Sequence, residues 1–411
     1  MKAVLYKANP VKYLVIKYFY RFIPKIVYGP LCMAKLVDMP EPELINEEWV
    51  KIKVSMSGIC GSDIGGLNGQ ESLYLEPYVS KSLVLGHENV GVVCEAGKNA
   101  KGLKVGDRVT VIPFLSCAQR GIKNPCEYCR QGHYALCENV NEGNLSHGLS
   151  IGWNHDTSGG WGEYFIAHYS NVIKLPDETS DEDAVMIDSF SCALHAVMQN
   201  LPKQNETILV YGCGTMGLNT IASIRALGLK NKIIAVYSRD FQKKMALKLG
   251  ADIMINGKED IFKKIAEITD AKIYYPQIGK PSIEGGVGII YECVGSSGTI
   301  DNSLRFLNGR GRLVMIATAG VLKSVDVAPV WFRELSIIGS CEQGHDRYEN
   351  SVKRTYEIVI EMLKAKKINL RQFVTHKFPL SEFKKALKVS INKSGESIKV
   401  VLYNPSENAK I

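Results

Sequence analysis

The sequence predicts an α/β protein made of a β-rich region and a doubly wound parallel sheet. Three observations predict it. The first third is rich in short alternating strands punctuated by glycine, as in Trp49-Val50-Lys51-Ile52-Lys53-Val54. From Ser180 onward, apolar strands alternate with helices. Within this second region sits a glycine-rich turn, Tyr211-Gly212-Cys213-Gly214-Thr215-Met216-Gly217, directly after the apolar run Thr207–Tyr211.

The elements follow in order. Met1 to Lys7 reads as a first strand, and no secretory leader is expected at this end. Val90-Gly91-Val92-Val93 is a strand, and Gly106-Asp107 a tight turn into another. Ser180-Asp181-Glu182-Asp183 is a capping-box pattern, with acids where the helix dipole favours them. Met216–Leu227 and Phe241–Leu249 read as helices closed by Gly228 and Gly250. Lys232–Tyr237, Gly288–Cys293 and Arg312–Ala317 read as parallel strands. Phe373–Leu380 and Ile398–Tyr403 are strands around a helix at Glu382–Val389, and this tail is expected to rejoin the first region. The domain reading is therefore 1–179 with 342–411, split around 180–341. Two segments stand outside it. Residues 11–23 are apolar, aromatic and basic; a cover over the domain or a subunit contact is the preferred reading, an interfacial membrane helix the other. Residues 270–287 read as an inserted loop.

Composition sets the class. A chain of 411 residues with 45% hydrophobic and 22% charged residues fits a soluble enzyme of two domains, at most three. The net charge of +8 reads as a solvated basic surface, or as attraction for anions such as a phosphorylated cofactor. No arginine-rich run with interleaved aromatics argues for nucleic acid, and no apolar run reaches the roughly 18 residues of a membrane span. The eleven cysteines cluster, which reads as metal binding in a reducing, cytoplasmic compartment rather than as disulfides.

The metal-ligand pattern has two parts. Gly58-Ile59-Cys60-Gly61-Ser62-Asp63 and Gly86-His87-Glu88 supply a thiolate, an imidazole and a carboxylate, donors suited to zinc with an open position. A further protein ligand must come from elsewhere. Asp188, after the apolar stretch Val185-Met186-Ile187, is a candidate, with a helix N-cap as the alternative. Cys126-x-x-Cys129 with Cys137, and Cys117 upstream, reads as a closed four-thiolate structural zinc site in a lobe at about 115–140. Cys117 is its least secure member.

In the glycine turn, Gly212 permits the tight bend, Gly214 lets a pyrophosphate approach, and Gly217 lets helix and strand pack. Thr215 and Met216 open the helix whose N-terminus faces the phosphates. The next strand ends Tyr237-Ser238-Arg239, with no acid before Asp240. An NAD-binding turn has an acid there. A hydroxyl and a cation instead favour a 2′-phosphate, hence NADP(H) over NAD(H). The alternative is an Arg239 that stacks on adenine or is solvated.

Taken together, these motifs resemble the zinc-dependent alcohol dehydrogenases of the medium-chain dehydrogenase/reductase superfamily, closest to the threonine, sorbitol and secondary-alcohol branch. The resemblance covers nearly the whole chain. It implies a GroES-like β domain around a Rossmann domain. It implies a catalytic zinc on Cys60, His87 and Asp188, with Glu88 a fourth ligand or close neighbour. Ser62 would touch the substrate hydroxyl, and Ser238-Arg239 would match NADP-dependent members. It also implies a homodimer or homotetramer, with Leu335-Ser336-Ile337-Ile338 as the candidate contact. Three departures stand out. Gly65 occupies a position where relatives carry a relay histidine. Ala118–Pro125 widens the first gap of the cysteine lobe. Lys399 replaces an arginine expected to pair with Asp63. The implied reaction is reversible hydride transfer between an alcohol, secondary or polyol, and NADP(H), giving a ketone or aldehyde. The alternatives are an NAD(H)-linked polyol, sugar or threonine-type enzyme, a non-catalytic NADPH- or zinc-binding protein, and a zinc-free quinone reductase.

Overall fold

The computed structural model describes residues 1–317 and 320–405. They form two compact units, Met1–Asp188 with the chain from Tyr356 onward, and Ser189–Thr355.

The first unit is built on antiparallel strands. Strand Trp49–Gly58 is its spine, pairing with Asn89–Ala96, Tyr164–His168 and Lys399–Tyr403. The spine alternates buried and less buried residues, which a strand with one face on the core requires. The tail enters through Lys399–Tyr403, whose Val401 lies opposite Gly58. A second, three-stranded sheet has the order Ala34–Asp38, Lys2–Lys7, Ser82–Val84. Trp161 is fully buried between the two motif-bearing strand ends. Its indole N–H donates to the Gly58 carbonyl at 3.1 Å, and its ring fills the space beside Gly86. Gly86 has φ +97°, and any side chain there would strike that ring.

The second unit is a six-stranded, wholly parallel sheet. Its order is Ile253–Asn256, Ile233–Tyr237, Ile208–Tyr211, Val287–Glu292, Leu307–Met315, Ser336–Gly339. In chain order that is 3-2-1-4-5-6, the dinucleotide-binding arrangement. The central strands Ile208–Tyr211 and Ile233–Tyr237 are buried along their whole length, as a sheet covered on both faces demands. The chain reverses direction of build between Ile208–Tyr211 and Val287–Glu292, so the glycine turn opens at the switch point.

Both seams fall later than 179 and 341, and side-chain ties explain why. Segment 180–188 is fastened to the first unit. Arg108 reaches Asp181 at 2.7 Å, and the Asp183 carboxylate accepts from the Leu370 and Arg371 N–H groups at 2.9 and 2.8 Å. Ser180 also caps this turn, accepting from the Asp183 N–H at 3.1 Å. Hairpin 345–354 is fastened to the second unit through Asp346. Its buried carboxylate meets His195 at 2.9 Å and accepts from Gln199 at 2.8 Å and Thr355 at 2.6 Å. Segment 270–287 is not a structureless loop, since Lys272–Tyr274 pairs antiparallel with Ser282–Glu284 and Ile283 is buried. Residues 11–23 hold a helix, Pro10–Phe19, capped by the Asn9 side chain.

Asp346 carries a prediction. Burial works against its charge, but His195 and the hydroxyl and amide donors hold its carboxyl below the usual range. A depressed carboxyl stabilises the fold above its unfolded pKa of about 3.9, and the contribution fades as pH falls through the lower folded value. Asp346→Ala should cost on the order of 3 kcal/mol at neutral pH by leaving three partners unpaired. Urea melts of the two proteins at pH 7 and in acid should converge as the pH falls; a constant gap would refute the assignment.

Candidate functional site

The first unit brings Cys60, His87 and Glu88 together, with one ligand atom of each within 4.8 Å of the others. Local sequence accounts for this. Cys60 is the N-cap of helix Gly61–Asn68, and three residues on Asp63 reaches back to accept the Cys60 N–H at 2.9 Å. Cys60-Gly-Ser-Asp63 is thus a capping motif as well as a donor motif. His87 and Glu88 follow Gly86 at the end of Ser82–Val84 and the start of Asn89–Ala96.

The supporting residues complete the geometry. Asp63 is fully buried, and its second oxygen stands 3.4 Å from His87 Nδ1. A carboxylate behind an imidazole fixes the ring and raises its basicity as a ligand. Burial works against a charged His87 ring, yet the Asp63 and Cys60 charges hold its pKa well above the ordinary value. Lys399 does not pair with Asp63 as expected; its ammonium contacts the Glu88 carboxylate. The cause is steric. Gly58 lacks the Cβ that would overlap Glu88 Oε2, so that carboxylate tucks against strand Trp49–Gly58, whose neighbour carries Lys399. Burial opposes charge on Lys399, and Glu88 and Cys60 overcome it, so this lysine holds its proton more tightly than usual.

Asp188 is the second residue of helix Ile187–Gln199 rather than its N-cap. It is buried and accepts from the Tyr356 hydroxyl at 2.5 Å. Its carboxylate lies outside the close group formed by Cys60, His87 and Glu88, though its charge acts on Lys399. Ser62 is half-buried in the first turn of Gly61–Asn68. One turn further on, the space beside Gly65 is filled by the carboxylate of Glu71, which a Cβ at 65 would strike. Burial, with the nearby Asp63 charge, pushes the Glu71 carboxyl up to about 7. Sequence reading missed Glu71; the glycine at 65 was its only trace.

In the lobe, Cys117, Cys126, Cys129 and Cys137 lie with their sulfurs within 4.8 Å of one another. None is in a disulfide. Cys117 Sγ accepts from the Cys126 N–H at 3.4 Å and from the Asn139 side chain at 3.2 Å. Burial raises Cys129 to about 11, whereas hydrogen bonds from Glu138 and Cys129 N–H groups overcome burial at Cys126 and bring it to about 7. The widened gap after Cys117 has a use. It carries Arg120, fully buried, whose guanidinium donates to the carbonyls of Leu115, Glu142, Leu145, Ser146 and Gly148. Those carbonyls lie on both sides of the cysteines in sequence, so Arg120 closes the lobe on itself.

In the second unit, Gly212 turns at φ +99°, and Gly214 is the N-cap of helix Thr215–Ala226. A Cβ on Gly217 would overlap the Gly212 carbonyl, whereas a Cβ on Gly214 would meet no protein atom. Space is thus kept open over the helix N-terminus, where anions are favoured. At the next strand end Tyr237 is buried, with the Lys243 ammonium 5.8 Å over its ring. Ser238, Arg239 and the following Asp240 are exposed. Gln242 accepts from both their backbone N–H groups, at 3.1 and 3.2 Å, and from the Ser238 hydroxyl at 3.1 Å. The lip is therefore pinned by Gln242, a residue the motif did not reveal.

Comparison with known proteins agrees with this anatomy. Residues 46–177 match the alcohol dehydrogenase GroES-like domain, and residues 215–357 the zinc-binding dehydrogenase domain. D-arabitol-phosphate dehydrogenase of Enterococcus avium is 30% identical over 90% of this chain and 94% of its own. Sorbitol dehydrogenase of Bacillus subtilis is 28% identical over 90% and 94%. The crystal structure of 2R,3R-butanediol dehydrogenase from Bacillus subtilis superposes with a TM-score of 0.72 at 23% identity, covering 98% of this chain and 99% of that one. The chain belongs to the zinc-dependent alcohol dehydrogenase family of the medium-chain dehydrogenase/reductase superfamily. It is an oxidoreductase that acts on alcohols.

The buried pair predicts its own test. Lys399→Met should leave Glu88 without its cation and destabilise the fold by about 3–5 kcal/mol. Adding Glu88→Gln should restore much of that loss, because the remaining amide carries no charge. A denaturation cycle giving additive effects would show that the two are not coupled.

Proposed function

We propose that this enzyme oxidises a secondary alcohol or polyol reversibly to the carbonyl compound, with NADP(H) as partner and zinc at Cys60, His87 and Asp188. Glu88 is a fourth ligand or close neighbour, held by Lys399. One observation carries the metal assignment. Asp63, Glu88 and Asp188 are all at least 95% buried, Glu88 grouped with the Cys60 thiol, and Lys399 is a buried lysine that contacts Glu88. Three buried acids against Lys399 and a His87 ring that must give up its proton to ligate a metal are a costly interior unless a further cation enters. A sulfur, an imidazole and carboxylate oxygens are zinc donors.

When bound, zinc lowers the pKa of an alcohol hydroxyl and the nicotinamide takes up hydride. The protein's part is positional. Asp63 orients the His87 ring, and the Tyr356 hydroxyl fixes the Asp188 carboxylate. Ser62 accepts the hydroxyl proton and passes its own outward. Glu71, one helical turn beyond at Gly65, is its onward acceptor, a base half-ionised near neutrality. The lobe of Cys117, Cys126, Cys129 and Cys137 is a second, structural zinc site, which its N–H donors to sulfur suit. The polyol reading rests on the arabitol-phosphate and sorbitol dehydrogenase relatives. An oligomer forms through edge strand Ser336–Gly339, next to which Trp331 and Phe332 are exposed.

The decisive experiment is a cofactor-reduction screen over secondary alcohols, polyols and polyol phosphates, with metal analysis alongside. Wild-type protein should hold about two zinc per chain, one per site. Cys60→Ser should stay folded but lose turnover and about one zinc and melt at a lower temperature, because the buried acids lose their cation; full metal and activity would refute the assignment.

Alcohol oxidation should rise with pH through an inflection near 7 as Glu71 loses its proton, since only the carboxylate accepts one. Glu71→Gln should remove that inflection in kcat and lower its plateau. An unchanged profile would exclude Glu71 from the relay.

At the cofactor lip, a charge-assisted contact to the 2′-phosphate contributes roughly 1.5–3 kcal/mol, on the order of 10- to 100-fold in affinity. Arg239→Ala should therefore raise KM for NADP by that factor and leave KM for NAD near its original value. Ser238→Asp, at an exposed position, should reverse the preference by repelling the phosphate. Equal losses for both cofactors would show that Arg239 does not read it.

A further inference from the structure

The helix Pro10–Phe19 and the turn after it present an apolar face that no other described residue covers. Val11, Leu14, Tyr18 and Phe22 are 72%, 65%, 72% and 73% exposed. Their spacing of three, four and four residues puts them on a single stripe. The Ile23 N–H bonds the Phe19 carbonyl at 2.9 Å, so the helical course carries through Phe22. The opposite face is anchored. Ile16 is fully buried, and the Tyr13 hydroxyl donates to the Gly69 carbonyl. The stripe is therefore displayed from a fixed support and is not a frayed end.

Charge identifies what the stripe meets. Residues 1–37 contain seven lysines and arginines and no acid, out of a net charge of +8 for the whole chain. Lys12 and Lys17 lie on the two flanks of the stripe by helical spacing, with Arg21 and Lys25 just beyond. An isologous contact with a second copy would bring these cations against themselves with no acid from the same segment to balance them. An exposed apolar stripe between cations suits a surface that is anionic at its headgroups and apolar beneath. Long lysine and arginine side chains reach the headgroups while aromatic rings enter the interface.

We propose that this helix docks the enzyme reversibly, in the plane of the interface, on membranes rich in anionic lipid. Leu14, Tyr18 and Phe22 insert, while Lys12, Arg21 and Lys25 bind the headgroups. Among the described residues no helix is long and apolar enough to cross a membrane.

The test is flotation of the full-length protein with phosphatidylcholine vesicles, with and without phosphatidylserine. Wild-type protein should partition onto the phosphatidylserine vesicles at least roughly tenfold better, and high salt should release it. Each cation at an anionic surface contributes about fivefold in partitioning. Lys12→Gln, Arg21→Gln and Lys25→Gln combined should therefore weaken binding on the order of 100-fold. Leu14→Ser, Tyr18→Ser and Phe22→Ser combined should abolish it, with melting temperature and turnover of a soluble alcohol unchanged, because all three are exposed. Absence of wild-type binding to either vesicle overturns the proposal. So does a fall in oligomer mass by light scattering in the serine variant, which would show that a second copy covers the stripe.

Discussion

Excess negative charge buried in the first unit is the constraint on which the site depends. Asp63, Glu88 and Asp188 lie out of solvent with Lys399. Each anion needs its own compensation, and each receives a different one. Asp63 accepts a helix N-cap N–H and faces an imidazole; Glu88 has an ammonium; Asp188 has a phenol hydroxyl. Hydrogen bonds orient the group, and Lys399 together with a protonated His87 offsets two of the three acids. A divalent cation at Cys60 and His87 would complete the balance, so the ligand set and the burial of the acids have one explanation. The same arithmetic couples metal to stability, since losing the cation would restore the repulsion.

Backbone geometry makes that crowding possible. Gly58 leaves room for the Glu88 carboxylate, and Gly86 for the Trp161 ring. Trp161 in turn donates to Gly58, so the two strand ends that present Cys60 and His87 are pinned by one side chain. In the second unit, glycine serves two opposite purposes. Gly217 is needed because helix and strand touch; Gly214 is needed because nothing touches it and a ligand can. The identical residue type marks tight packing in one place and reserved space in the other.

Features set by neighbours in sequence were legible beforehand. The parallel strands, the capping turn at Ser180 and the glycine turn depend on periodicity and on backbone requirements that residues declare locally. Pairings between distant segments were not legible. Lys399 was expected behind Asp63 and meets Glu88, because the choice depends on which side of strand Trp49–Gly58 has space. Residues 118–125 looked like a disturbance of the cysteine lobe and instead carry Arg120, whose carbonyl partners are recognisable only once the lobe has closed. Tyr237 occupied the specificity position by count, yet its ring is buried and Ser238 is exposed, since strand alternation ends at that residue. The hairpin at 272–284 escaped because its strands are three residues long, too short for a period to emerge.

The lip of the cofactor turn shows how specificity can be separated from folding. Gln242 fixes the backbone of Ser238 and Arg239 from within the following helix, using one side-chain oxygen for three donors. Two of those three donors are backbone N–H groups, so most of Gln242's hold on the lip does not depend on the side chains at 238 and 239. Charge at those two exposed positions can change without loss of the turn, in contrast to Gly217, where any side chain would force helix and strand apart. On the proposed reading, cofactor preference therefore rests on exposed side chains, and pyrophosphate binding on the glycines that shape the turn. The buried metal cluster has no such freedom, since every charged member there is also part of the interior.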